Sequence, residues 1–214
     1  MPVHVDETLP LHPLSVADVE AMVSAGILDE KAHVELLDGV LVEMNPQGSP
    51  HAYAIRELAT LAFPVVATAG LRLSIQAPLD VGSPISLPEP DLAIVPPTGP
   101  DEHPHNAVLV MEMGATSLRI DLVRKARIYA TGGVPEYWVL DVKRRALVVH
   151  RDPVDGGYTT FAPWARTRRS PPPGCRSPCR SRPCCSERRA PDARQRAGSL
   201  VRKGVACSAC IATK

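Results

Sequence analysis

Two carboxylates and one ammonium group stand at spacings suited to phosphodiester hydrolysis. Asp91 ends the run Pro88-Glu89-Pro90-Asp91 and leads into an apolar stretch. Glu112 lies twenty-one positions later, near the end of Ala107-Val108-Leu109-Val110-Met111-Glu112-Met113. Asp121 follows nine residues on, and Lys125 four after that. Phosphodiester hydrolysis needs neutralised phosphoryl oxygens and a hydroxide-like nucleophile. Hard carboxylate oxygens hold Mg²⁺, or Mn²⁺ in its place, while leaving positions open for water and phosphate. Asp91 and Glu112, on adjacent strand ends, would be the metal ligands, and the carbonyl of Met113 would add another donor. Lys125 would orient or deprotonate the attacking water, or stabilise developing charge. Glu35 would bind a second metal or orient a metal-bound water.

Each residue has a plainer alternative. Asp91 after Pro90 could simply close a loop. Glu112 could end a strand, although acids are almost never fully buried unless paired. Asp121 and Lys125 form an i, i+4 pair, worth only about 0.3–0.5 kcal/mol on a solvated helix face. Glu35 could lie exposed on a hairpin edge. His51, at a helix start, fits a surface or capping role better than a ligand role. Tyr137 and Trp138 fit the core.

The elements that must position these residues follow from periodicity and punctuation. Ser15 can cap a short helix that ends near Gly26, with acids in its first turn to suit the helix dipole. Val34 to Met44 reads as a hairpin around the turn signal Asp38-Gly39. In that register Glu35 shares a face with Leu37, Val40 and Val42. A helix from about His51 to Ala67 carries Ile55, Leu58, Ala59, Ala62, Val65 and Val66 on one stripe. Leu71 to Ala77 alternates as a strand, with Leu71, Leu73 and Ile75 on the apolar side. The runs 91–95 and 107–113 suit strands buried on both faces. A helix from about Leu118 to Thr131 stops at Gly132-Gly133. Three more strands fit Glu136–Asp141, Ala146–Arg151 and Gly157–Phe161.

The chain has 214 residues, enough for one domain with a substantial core. Its net charge of +1 hides two unlike parts. From Ala162 onward there are 13 lysines and arginines against two acids, Glu187 and Asp192, which leaves 11 basic and 21 acidic residues before it. All six cysteines, Cys175, Cys179, Cys184, Cys185, Cys207 and Cys210, lie in the basic part. Residues 162–214 are rich in Arg, Pro, Ser and Cys and show neither helical nor strand periodicity. A disordered or frame-shifted terminus is the expectation there. A zinc site through Cys207-x-x-Cys210 and a basic nucleic-acid-binding arm are the alternatives. No signal peptide or membrane span is visible, so a cytoplasmic protein is expected.

Taken together, the motifs resemble a family. Glu35-Leu36-Leu37-Asp38-Gly39, Asn45-Pro46-Gln47-Gly48-Ser49-Pro50-His51 and Glu89-Pro90-Asp91-Leu92-Ala93 look like the Uma-type putative restriction endonucleases. So do Glu112-Met113-Gly114-Ala115-Thr116-Ser117-Leu118, Asp121-x-x-x-Lys125, Tyr129 and Gly133-Val134-Pro135-Glu136-Tyr137-Trp138. The resemblance spans about 15–161. It implies the PD-(D/E)xK nuclease superfamily and a restriction-endonuclease-like core. The first acid then falls on Asp91, the second on Glu112 and the N-terminal glutamate on Glu35. Gly114 stands where the usual superfamily lysine would be, and the family's helix-borne substitute matches Lys125. The tail does not resemble the family's C-terminal segment.

The expected architecture is an α/β (α+β) fold, a mixed central β-sheet flanked by helices. An N-terminal extension covers 1–14, the nuclease-like domain 15–161 and the tail 162–214. The expected function is Mg²⁺-dependent endonucleolytic cleavage of DNA, with a homodimer compatible with the sequence. The alternatives are a catalytically silent nucleic-acid-binding or regulatory module on the same fold, and an inactive product with an aberrant C-terminus.

Overall fold

The computed structural model of the protein describes residues 11–44, 46–114 and 120–164, the last four by their backbone alone. The cysteines and the zinc, basic-arm and disorder expectations for the tail lie outside the described residues.

A six-stranded mixed sheet forms the centre, in the order β3-β4-β5-β6-β7-β8. Its strands are β3 (Arg72–Ile75), β4 (Leu92–Val95), β5 (Leu109–Gly114), β6 (Glu136–Asp141), β7 (Ala146–Val154) and β8 (Gly157–Trp164). Within this sheet β5 and β6 pair in parallel, and the other described neighbours pair antiparallel. The crossover from β5 to β6 carries a π-helical turn, Ile120–Lys125, which leads directly into the helix α3 (Ala126–Thr131).

Strand periodicity divides the core into two layers. Leu92, Ile94, Leu109, Met111 and Met113 pack with Ile55, Ala62 and Val66 of α2 (Ser49–Thr68). Ala93, Val95 and Val110 pack with Ala126, Ile128 and Tyr129 of α3 and with Tyr137. Asp91 has the parity of Ala93, and Glu112 that of Val110. Both acids are therefore assigned to the α3 face by the same alternation that builds the core. Tyr137 and Trp138 are buried, as expected.

The hairpin of β1 (Val34–Leu37) and β2 (Val40–Glu43) lies against this α3 layer through Leu37 and Val42. Its pairing of Glu35 with Val42 and Leu37 with Val40 is the expected register. Asp38 and Gly39 both have positive φ, 50° and 76°, which a two-residue hairpin turn of the right twist requires. Helix α1 (Val16–Ser24) starts in a reciprocal box, where Ser15 Oγ accepts from the Asp18 amide and the Asp18 carboxylate accepts from the Ser15 amide.

Three expectations need correction. Ile75 is 47% exposed, because β3 is the edge of the sheet and its alternation buries little beyond Leu71. Strand β8 runs to Trp164, where its partner β7 still supplies Leu147, so regular structure continues past 161. The segment leading to Thr131 begins in π rather than α geometry, and its Asp121 carbonyl accepts from the buried Tyr137 hydroxyl at 3.0 Å. Asp121 and Lys125 are 3% and 5% exposed there, not a solvated pair.

The hairpin turn provides a test of the fold. A Cβ on Gly39 would collide with Pro13, whereas one on Gly26, also at positive φ, meets nothing within 4 Å. Gly26→Ala should cost roughly 1–2 kcal/mol through backbone strain alone. Gly39→Ala should cost clearly more, read as a lower urea midpoint at unchanged slope. Equal losses would show that Pro13 does not hold the turn.

Candidate active site

Lys125 is the centre of the cluster. Its Nζ lies 2.9 Å from Glu35 Oε2 and 3.0 Å from Glu112 Oε1, and all three side chains are about 95% buried. Glu35 arrives on the hairpin, Glu112 on the central strand β5 and Lys125 at the end of the π-turn. Tyr129, one α-turn beyond Lys125, donates its hydroxyl to the same Glu112 Oε1 at 3.0 Å. The Glu89 amide donates to Glu35 Oε2 at 3.1 Å.

Asp91 stands across from Glu112, because β4 and β5 pair Leu92 with Met111 in antiparallel register. Its Oδ2 accepts from the Met113 amide at 2.8 Å. Its Oδ1 lies 2.9 Å from Nε2 of His51, in the first turn of α2. Thus the fold brings Asp91, Glu112, Lys125 and Glu35 into one neighbourhood. Met113 meets the cluster through its amide.

Sequence reasoning missed two members. By its place at a helix start His51 fits a surface or capping role, and nothing in its spacing links it to a partner forty positions away. Tyr129 carried a signal, since i+4 from Lys125 places it on the same helix face. A third feature was also unforeseen. Arg124 Nε and Arg127 Nη2 hold Asp38 Oδ2 at 3.0 and 2.6 Å, which fastens the tip of the hairpin to the helical segment bearing Lys125.

The electrostatics follow from crowding. Burial pushes the Glu112 carboxyl up to about 8; Lys125 pulls it down, but Asp91, Asp121 and Glu35 add to the rise. Burial alone would lower the Lys125 pKa, yet Glu112, Glu35 and Asp121 outweigh it and hold the ammonium far above its ordinary value. His51 is raised chiefly by its hydrogen bond to Asp91, against the opposing effect of burial, with further support from the Asp91 charge and the Met113 backbone. Acids outnumber cations in this cluster, so it is electrically suited to take up a further positive charge.

The donor set fits a hard divalent cation. Among the described residues no three His, Cys, Asp or Glu side chains form a metal-holding group. Magnesium does not require one, since it keeps several waters and takes one or two carboxylates with substrate phosphates. Asp91 and Glu112 are the two carboxylates that could serve such an ion. Concavities of about 480 and 320 Å³ lie beside α1 and beside Gly132, lined by other residues.

The model of the family Uma2, described as putative restriction endonuclease, matches residues 17–173. No curated protein matches the chain. Among solved structures, it is similar to a putative nuclease belonging to DUF820 from Anabaena variabilis ATCC 29413. The TM-score is 0.56 at 12% identity, over 71% of this chain and 84% of that one. At such identity the likeness carries the fold alone.

The raised Glu112 pKa makes a signed prediction. A carboxyl raised on folding binds its proton more tightly in the folded state, so stability falls as pH rises from about 4.5 to about 8. At one pKa unit per 1.36 kcal/mol, the contribution is on the order of a few kcal/mol. Raised His51 adds a loss in the same direction above its ordinary range, while lowered His150 acts oppositely as pH falls. Glu112→Gln mimics the protonated acid and leaves both histidines in place. Its melting temperature, measured metal-free, should exceed wild type at pH 8 and converge with it at pH 5. A difference that does not vary with pH would contradict the burial argument.

Proposed function

We propose, from the premise that the chain belongs to the Uma2 family of putative restriction endonucleases, that it cleaves DNA phosphodiester bonds as a Mg²⁺-dependent endonuclease. One observation carries the reading: Asp91, Glu112 and Lys125 come from three separate elements and converge in one buried cluster. Burying charged groups costs more than an apolar core of the same volume, so folding alone gives no reason to keep them. A silent binding module on this fold would carry that cost without return.

Asp91 and Glu112 would hold the cation. When bound, it would supply neutralisation of the scissile phosphate and a more acidic water. Lys125 is fixed in place by Glu35 and Glu112 and keeps its proton, so it serves to orient the nucleophile and to stabilise developing negative charge rather than as a base. Glu35 then acts through Lys125, and the Asp38 clamp keeps Glu35 in register. The 21 acids among residues 1–161 oppose general phosphate binding, so affinity for DNA should be modest, with a shallow salt dependence. Among the described residues no helix is long and apolar enough to cross a membrane.

A plasmid-nicking assay tests the proposal. Mg²⁺ or Mn²⁺ should support cleavage, Ca²⁺ should not, and EDTA should stop it. Asp91→Asn and Glu112→Gln should abolish turnover while the protein stays folded by circular dichroism. Lys125→Met, which keeps the volume, should lower turnover by about 10²–10³-fold with little change in cation affinity. Arg127→Ala, at a side chain 60% exposed, should lower it far less. Cleavage that persists in EDTA, or wild-type rates in Asp91→Asn, would remove the metal site from the reaction.

A further inference from the structure

We infer that His51 is a positioning residue: it locks the Asp91 carboxylate in the orientation that a divalent cation requires. The inference rests on the reading above and concerns a residue that the site's own chemistry does not demand. Asp91 has Glu112 directly across the strand pair, and Asp121 lies within electrostatic range of both Glu112 and His51. Left to those forces, a short side chain at the start of β4 would turn away from the cluster toward water. Two contacts prevent this. The Met113 amide holds Oδ2 at 2.8 Å, and His51 Nε2 meets Oδ1 at 2.9 Å. Each carboxylate oxygen has two lone pairs. One contact per oxygen therefore fixes the plane of the group and leaves each oxygen able to coordinate.

The imidazole is itself held by a rigid support. It projects from the first turn of the 20-residue helix α2, just after Pro50, and that helix is anchored in the core by Ile55, Ala62 and Val66. Asp91 is therefore pinned from two layers of the fold: by β5 on its own sheet and by α2, which packs on the opposite face. The His51 side chain is 18% exposed, against 5–6% for Glu35, Glu112 and Lys125, so it also marks the solvent edge of the cluster. Groups that orient metal-ligating side chains in this way usually change metal affinity by 10–100-fold when removed.

Three proteins decide the matter: wild type, His51→Ala and His51→Gln, the last restoring a nitrogen donor at similar reach. The first readout needs no metal. The amide resonance of Met113 in a nitrogen–proton correlation spectrum reports its bond to Asp91. It should move upfield in His51→Ala and stay near the wild-type position in His51→Gln. The second readout is Mn²⁺ binding by calorimetry, which should weaken 10–100-fold in His51→Ala and largely recover in His51→Gln. The KM for DNA at saturating Mn²⁺ should be unchanged in both. An unmoved Met113 resonance in His51→Ala overturns the inference. So does Mn²⁺ binding that is unchanged or tighter, since tighter binding would make His51 a competitor for Asp91. Wild-type protein that binds no Mn²⁺ would sink the metal reading instead, and the Met113 resonance would then decide the role of His51 by itself.

Discussion

A single ammonium group shared by two buried carboxylates holds the functional part of this molecule together. Lys125 faces Glu35 and Glu112 at 2.9 and 3.0 Å, out of contact with bulk water. Taking Lys125 away would leave buried carboxyl groups with no compensating charge, a loss of about 3–5 kcal/mol. The elements that deliver the three residues are thus bound to one another: the hairpin, the central strand and the crossover segment must all be in place. Tyr129 and the Glu89 amide donate to the same two oxygens that Lys125 contacts, so the cluster is a connected network rather than an isolated pair.

The rest of the architecture can be understood as support for that network. The parallel pairing of β5 with β6 requires a crossover, and the crossover carries Lys125 and Tyr129 onto the face that Glu112 presents. Asp38, at the tip of the hairpin, is gripped by Arg124 and Arg127 from the same segment, so Glu35 and Lys125 are tied at a second point. The π-turn stands where this demand is greatest, and such turns recur at functional sites. The site is therefore overdetermined by backbone elements, a condition under which a cluster rich in like charges can persist in a fold.

Much of this was legible before any coordinates. Asp38-Gly39 specified a two-residue turn through its need for positive φ, and the hairpin formed in the register that the apolar pattern set. Ser15 and the acids of the first turn announced a helix start, which the structure closes with reciprocal bonds between Ser15 and Asp18. The apolar runs after Asp91 and around Val110 announced buried strands, while the face that Asp91 and Glu112 share came from the pairing of β4 with β5. Each of these signals acts over a few residues, where chain geometry and side-chain chemistry leave few options. The edge strand misled for the same reason. Alternation states which side of a strand is apolar, but the exposure of Ile75 depends on whether a helix lies over it.

What the sequence by itself determined was the inventory: a mixed α/β chain, its strand faces, its turn, and the acids and lysine able to serve phosphodiester chemistry. The tertiary structure decided the pairings. Glu35 reaches Lys125 across ninety positions, Asp38 reaches Arg124 and Arg127 across a similar distance, and His51 reaches Asp91 across forty. No local pattern encodes such contacts, because they depend on how layers stack and on which loops bring helix starts to strand ends. Burial made the difference in chemistry as well. The same Asp121 and Lys125 that would form a weak solvated pair on a free helix become, in a dry interior, part of a field that raises Glu112 and fixes the charge of Lys125.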